Sequence, residues 1–235
     1  MSSPNPDPPE PVDPPRAPVP AATVVVVRDS QQGIEALMLH RSTAGAFGGM
    51  WVFPGGKVDA ADTDPARPHD ELGAARRAAA REAHEEAGLV LDVDELVPLS
   101  HWMPPAIRPV RFSTWFFLAG ATDAVVAVDG REISDHEWLS PGEVLRRRDA
   151  GSMALAPPTW VTLHTLARHA TVADLLGAHR SGEPEHFFTD PYAVDGGTVA
   201  LWHGDAAYGG GDLSLSGPRH RLWMVEGAWR YERTS

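Results

Sequence analysis

The stretch from Glu71 to Ala87 constrains this chain more than any other. It is composed mainly of Ala, Arg and Glu, all good helix formers, with Asp70 ahead of it as a candidate N-cap and Gly88 behind it as a stop. On a helix, Glu82, Glu85 and Glu86 are related by three and four residues, so their carboxylates share one face. Ala75, Ala79 and Ala83 give a surface small enough to pack closely on a sheet. Like charges so placed repel by about 0.2–0.5 kcal/mol per pair when exposed, and by far more when buried. A divalent cation is the natural compensator, and oxygen-only ligands suit Mg²⁺ or Mn²⁺ rather than zinc. The plain structural alternative is a solvated acidic helix face. What favours a site is the preceding Phe53-Pro54-Gly55-Gly56 and the order of residues from Arg81 to Leu89.

Around this helix the pattern is α/β. Strands are predicted from Ala21 through the β-branched run Thr23 to Val27, at Ile34 to His40, at Leu96 to Trp102 and at Arg111 to Ala119, with a further short one at Val125 to Val128, while Met50 to Gly56 is a short apolar stretch stopped by Pro54 and two glycines. Helices are predicted at Pro141 to Arg148, Trp160 to His169 and Val172 to His179. Residues 1–20 hold nine prolines and little apolar material, and read as a disordered tail. Residues 21–180 form the expected catalytic domain. Residues 181–235 form a β-rich extension with hairpins around Val199 to Trp202 and Leu222 to Val225.

Composition removes several classes of function. The 235 residues carry 20 Lys and Arg against 32 Asp and Glu, a net charge of −12, which argues against a nucleic-acid or anionic-membrane binder. Cysteine is absent, so disulfide scaffolds, thiolate metal sites and thiol catalysis are excluded. No apolar run is long enough to span a bilayer and no signal segment opens the chain, so a cytoplasmic enzyme is expected. No histidines are spaced as in HExxH, and His84 reads as solvent-facing. Trp102, Trp115 and Trp138 read as packing residues on strands.

The segment Arg81-Glu82-Ala83-His84-Glu85-Glu86-Ala87-Gly88-Leu89 resembles the second half of a Nudix box, the pattern Gly, five residues, Glu, seven residues, then Arg-Glu-apolar-x-Glu-Glu-x-Gly-apolar. The first half departs from it. Counted from Gly56 the arginine belongs at position 70, but it stands at 81, an excess of eleven residues. Counting back from Arg81, the first glutamate of the pattern falls on Gly73, which leaves Asp70 or Glu71 to stand in as the carboxylate partner of that arginine.

The resemblance implies a Nudix α/β/α sandwich with a mixed sheet, plus a C-terminal helical and hairpin extension. It also implies Mg²⁺- or Mn²⁺-dependent hydrolysis of a nucleoside diphosphate linked to another group. By that analogy Glu82, Glu85 and Glu86 bind the metal with the Gly56 carbonyl, and Arg81 orients a carboxylate. Glu132 is the best candidate for an additional ligand or base, with Glu137 second. The flanking His40-Arg41-Ser42, Phe53-Pro54-Gly55-Gly56, Arg111 to Phe117 and Leu155 to Trp160, together with the long insertion, resemble the peroxisomal-type coenzyme A diphosphatases. In that branch the substrate is CoA or acyl-CoA, and Arg41, Ser42, Phe53 and Arg111 become substrate contacts. ADP-ribose or a dinucleotide is the alternative substrate, although the Ser-Gln-Pro-Trp-Pro-Phe-Pro-x-Ser motif of NADH-directed members is not found. A non-catalytic nucleotide sensor is the alternative of another class, and it predicts eroded carboxylates where all three are present. The expected partner is a small nucleotide substrate, and the resemblance admits a homodimer.

Overall fold

Five consecutive β-branched residues, Thr23 to Val27, cannot all face one side of a strand; alternation sends them to opposite faces, so apolar layers are needed on both. The computed structural model describes residues 17–42, 47–105, 110–121, 125–226 and 228–234. Its elements are β1 (Val19–Ser30), β2 (Gly33–Arg41), β3 (Trp51–Val52), β4 (Gly55–Lys57), α1 (Glu71–Ala87), β5 (Val97–Met103), β6 (Phe112–Gly120), β7 (Ile133–Leu139), α2 (Pro141–Asp149), α3 (Pro157–Leu166) and α4 (Val172–Arg180). They continue with β8 (Glu185–Phe188), β9 (Asp190–Val194), β10 (Gly197–Leu201), β11 (His220–Val225) and β12 (Ala228–Arg233). Most of the expected proline-rich tail lies outside the described residues, but Val19 and Pro20 already belong to β1.

β1 is the axis of the large sheet, whose order is β3-β2-β1-β6-β5-β8, with β4 also paired to β1 and β7 to β2. The sheet is mixed: β1 runs parallel to β6 and β5 parallel to β8, while the other pairs are antiparallel. Ala22, Val24 and Val26 face α1 and pack with Ala75, Ala78, Ala79 and Ala83. Val25 and Val27 face the opposite layer, built from Val144 of α2, Leu163 and Leu166 of α3 and Leu175 of α4. Each fully buried valine contributes roughly 1.5–3 kcal/mol. This is the expected α/β/α sandwich.

Both ends of α1 form as the sequence indicates. Asp70 Oδ1 accepts the Gly73 N–H at 2.9 Å. Gly88 closes the helix in the left-handed region, at φ 68°, with its N–H bonded to the His84 carbonyl at 2.9 Å. Two expectations need correction. Val125 to Val128 is not a strand: Ala127 N–H donates to the Ala87 carbonyl at 2.9 Å, and Val126 and Val128 pack on the α1 side, so the segment seals the end of α1 instead of pairing in the sheet. The helix expected at Trp160 to His169 begins earlier, at Pro157. Prolines 157 and 158 occupy its first turn, where a missing N–H costs nothing.

The chain ends in a second, antiparallel sheet of order β12-β11-β10-β9. Ala200, Trp202 and Leu222 belong to the same core as α2 to α4, and Trp229 and Tyr231 pack on it. Arg221 is buried against Asp205, with its Nε 2.7 Å and its Nη2 2.5 Å from the two carboxylate oxygens. No helix among the described residues is long and apolar enough to cross a membrane.

Candidate active site

The C-terminal half of α1 lies beside β4, because Gly56 is paired with Ala22 directly under the alanine face of the helix. The fit is close: a Cβ at Gly56 would stand 2.2 Å from Glu82 Oε1, so any side chain here would displace that carboxylate. The neighbouring Gly55 N–H donates to Glu86 Oε2 at 2.9 Å. The two glycines thus bring the backbone of β4 against two of the three glutamates. Glu86 is buried and Glu82 half-buried, while Glu85 and His84 are exposed. Burial pushes Glu86 up to about 7, against the Gly55 N–H and Arg41, which favour its charged form. Glu82 is also raised by burial, with Arg81 opposing.

Arg81 is saturated with oxygen. Its Nε and Nη2 reach Asp62 Oδ1 at 3.2 Å and Oδ2 at 3.0 Å, Nη2 also reaches the Lys57 carbonyl at 2.9 Å, and Nη1 reaches Glu82 at 2.9 Å and Glu85 at 3.1 Å. The hydrogen bonds with Asp62 outweigh desolvation and hold the guanidinium firmly protonated. The carboxylate partner of Arg81 is therefore Asp62, not Asp70 or Glu71. Asp70 is committed to capping α1, and Glu71 lies in its first turn. The signal was present in the sequence: with five residues between it and Gly56, the position of the first glutamate in the pattern, stands Asp62. Counting forward from Gly56 finds it, whereas counting back from Arg81 lands on Gly73, because the eleven extra residues lie between Asp62 and Arg81.

A second arginine completes the cluster. Arg41, at the end of β2, places Nη1 3.1 Å from Glu86 Oε1 and pairs through Nη2 with Glu132. Glu132 is aimed by Asp129, whose carboxylate accepts the N–H groups of Arg131, Glu132 and Ile133 at 3.2, 3.1 and 2.9 Å, and by Ser42, whose N–H donates to the Glu132 carbonyl at 2.8 Å. Arg41, Ser42 and Glu132 are thereby joined to Glu86. Glu137 is elsewhere, in an ion pair with Arg147 at 2.8 Å. Phe53, expected as a substrate contact, is 3% exposed in the core on the α2 to α4 side of the sheet, so its ring offers no surface to a ligand. Arg111 stands just ahead of β6, where its carbonyl accepts the Val19 N–H at 2.8 Å.

A family model described as the NUDIX domain matches residues 17–156, which hold β1 through α2 and the whole carboxylate cluster. The chain belongs to the Nudix hydrolase family. It is 29% identical over 192 residues to a Caenorhabditis elegans protein named nudix hydrolase 7, an alignment covering 66% of this chain and 61% of that relative. The chain therefore spans about three fifths of the length of that relative. Among solved structures, a Nudix hydrolase from Alicyclobacillus acidocaldarius matches with a TM-score of 0.61 at 23% identity, covering 71% of this chain and 99% of the other, which shows the fold. The Nudix domain of Shewanella oneidensis NrtR, solved in complex with ADP-ribose, matches at a TM-score of 0.48 and 19% identity, covering 65% and 88%.

Nudix proteins typically use divalent metal ions, and the residues of this Nudix chain fit one. Glu82, Glu85, Glu86, Glu132 and the Gly56 carbonyl are all oxygen donors, and the space over Gly56 is one that a Cβ would fill. Among the described residues, no three Asp, Glu or His side chains are already gathered at metal-binding spacing. Two guanidinium groups hold the carboxylates instead, Arg81 between Glu82 and Glu85 and Arg41 between Glu86 and Glu132.

Proposed function

We propose that this chain hydrolyses the pyrophosphate of a nucleoside diphosphate derivative, with CoA or an acyl-CoA as the substrate and 3′,5′-ADP and (acyl-)4′-phosphopantetheine as products. The observation that carries the reaction type is the packing of Glu82 and Glu86 against Gly55 and Gly56, with Arg81 anchored by Asp62. Bound Mg²⁺ or Mn²⁺ supplies neutralisation of phosphate oxygens and a more acidic water. Glu82, Glu85, Glu86, Glu132 and the Gly56 carbonyl would hold it. Glu132, 55% exposed at the open side of the cluster, receives the proton of the attacking water or completes the ligand set. The water oxygen bonds to one phosphorus, the bridging P–O bond breaks, and two phosphomonoesters leave. Arg81 keeps Glu82 and Glu85 in register with β4. The choice of CoA is supported by Arg41-Ser42, Phe53-Pro54-Gly55-Gly56 and the long insertion before Arg81.

The test is a substrate panel of CoA, acyl-CoA, ADP-ribose, NADH and capped RNA with products identified by mass. CoA or an acyl-CoA is expected to give the highest kcat/KM. A preference for ADP-ribose over every CoA ester refutes the choice of substrate and leaves the reaction standing. Glu85→Gln and Glu86→Gln should each lower turnover by orders of magnitude, and unchanged turnover at saturating Mg²⁺ refutes the ligand assignment.

A further inference from the structure

The two arginines of the cluster are satisfied to different degrees. Every nitrogen of the Arg81 guanidinium has an oxygen partner, whereas Arg41 Nε is buried without a hydrogen bond among the described residues, and the contacts of Arg41 with carboxylates are made by its two terminal nitrogens. Its backbone, by contrast, is tied through both its N–H and its carbonyl. Arg41 N–H donates to the Met50 carbonyl at 3.0 Å and its carbonyl accepts the Gly49 N–H at 3.1 Å. The β2–β7 register shifts between His40 and Arg41, an irregularity of the kind that re-aims a side chain beside a site. A fixed backbone with a half-satisfied head group suits an arginine that pivots.

The place it occupies is specific. Glu86 commits Oε2 to the Gly55 N–H, which leaves Oε1 for a cation, and it is Arg41 that meets Oε1. The same guanidinium meets Glu132, so it holds together two carboxylates from segments 46 residues apart in the chain. The Arg41 side chain is 14% exposed, so the ion pair is shielded enough to matter, and Arg41 gives Glu86 a counter-charge.

We propose that Arg41 is a resident counter-ion that a divalent cation displaces from Glu86 and Glu132, and that the displaced guanidinium then engages the substrate phosphates. The inference rests on the proposed role of these carboxylates as metal ligands. A divalent ion brings two charges where arginine brings one, and repels the guanidinium it replaces. Arg41 cannot leave, because its backbone is held in the sheet. The nearest anion open to it is then the pyrophosphate that follows the metal. Metal and nucleotide therefore bind with positive coupling, and Arg41 carries a measurable share of it.

Mn²⁺ binding followed by calorimetry and electron paramagnetic resonance, with α,β-methylene-ADP as a non-hydrolysable diphosphate probe, tests this on the full chain. Without nucleotide, Arg41→Met should bind Mn²⁺ about three- to tenfold more tightly than wild type, since no ion pair has to be broken. Without metal, wild type and Arg41→Met should bind the probe equally weakly, because Arg41 is held by the carboxylates. With saturating Mn²⁺, wild type should bind it about tenfold more tightly than the variant. Mn²⁺ affinity that is unchanged or weaker in Arg41→Met overturns the proposal. So does a loss of probe affinity that is the same with and without metal, the behaviour of a permanently placed phosphate ligand. Arg41→Lys, which keeps the charge but lacks the fork, should fall between the two and guards against misfolding of the methionine variant. Glu86→Gln separates the two readings: if it binds Mn²⁺ as wild type does, the carboxylate assignment itself fails, whatever Arg41 does.

Discussion

Replacing Asp62 with alanine tests the pairing that organises the carboxylate face. The Asp62 side chain is 5% exposed, takes two hydrogen bonds from Arg81 and accepts the Asp59 N–H on Oδ2 at 2.8 Å. Removing one partner of a fully buried ion pair costs about 3–5 kcal/mol, because the remaining charge is left without compensation. Arg81 is 24% exposed and keeps the Lys57 carbonyl, Glu82 and Glu85, so water and those oxygens recover part of the loss. The expected net loss is about 2 kcal/mol, which for a chain of this size lowers Tm by about 4–8 °C. The effect on the site goes further. Released from Asp62, Arg81 turns wholly to Glu82 and Glu85 and competes with a cation for them, so Mn²⁺ affinity and kcat/KM should each fall by about tenfold or more. Asp62→Asn, which keeps the shape and one acceptor oxygen, should lie between alanine and wild type. Thermal unfolding, Mn²⁺ titration and steady-state kinetics on Asp62→Ala, with Glu71→Ala as control, make the measurement. If Asp62→Ala leaves all three unchanged while Glu71→Ala reproduces the losses, the assignment of the Arg81 partner is refuted.

Gly56→Ala should fold with a Tm within a few degrees of wild type, since the atom its Cβ meets is the end of a flexible glutamate, yet lose about tenfold or more in kcat through displacement of Glu82. Equal loss of kcat in a Gly142→Ala control, where no atom of the described residues lies within 4 Å of the added Cβ, would count against that reason. Asp70→Ala should remove about 1 kcal/mol of stability with kcat/KM unchanged, because Asp70 caps α1 far from the glutamates; a chemical denaturation curve and an activity assay check it. For Asp205, burial raises the carboxyl, but Arg221 and the N–H groups of Ala207 and His220 outweigh it and hold the pKa at about 2, below the ordinary value of 3.8. A depressed carboxylate stabilises the fold above its unfolded pKa and loses that contribution as pH falls through the folded one. About 2 kcal/mol should therefore disappear between pH 4 and 2. Urea unfolding across that range should show this acid loss in wild type and a smaller one in the volume-matched Asp205→Leu/Arg221→Met pair, and identical pH profiles would reject the link.

The sequence by itself determined what depends on near neighbours along the chain. The run of helix formers between Asp70 and Gly88 specified α1 and its caps, the spacing of Glu82, Glu85 and Glu86 put three carboxylates on one face, and the valines of β1 demanded apolar layers on both sides of a sheet. Those are properties of 3.6- and 2-residue periods, and they survive without knowledge of the rest of the molecule. The tertiary structure decided which distant groups answer them. Asp62 reaches Arg81 only because β4 and the turn after it run alongside α1, so an insertion between the two changes their separation in sequence and not in space. Phe53 could be read as a ligand contact from its motif, yet the chain just past β3 turns it into the core on the α2 to α4 side of the sheet. Arg41, Glu86 and Glu132 come from a strand end, a helix and a loop, and no local spacing links them. What joins them is the electrostatic requirement that a buried carboxylate be met by a positive charge, and only the packed sheet brings that charge within reach.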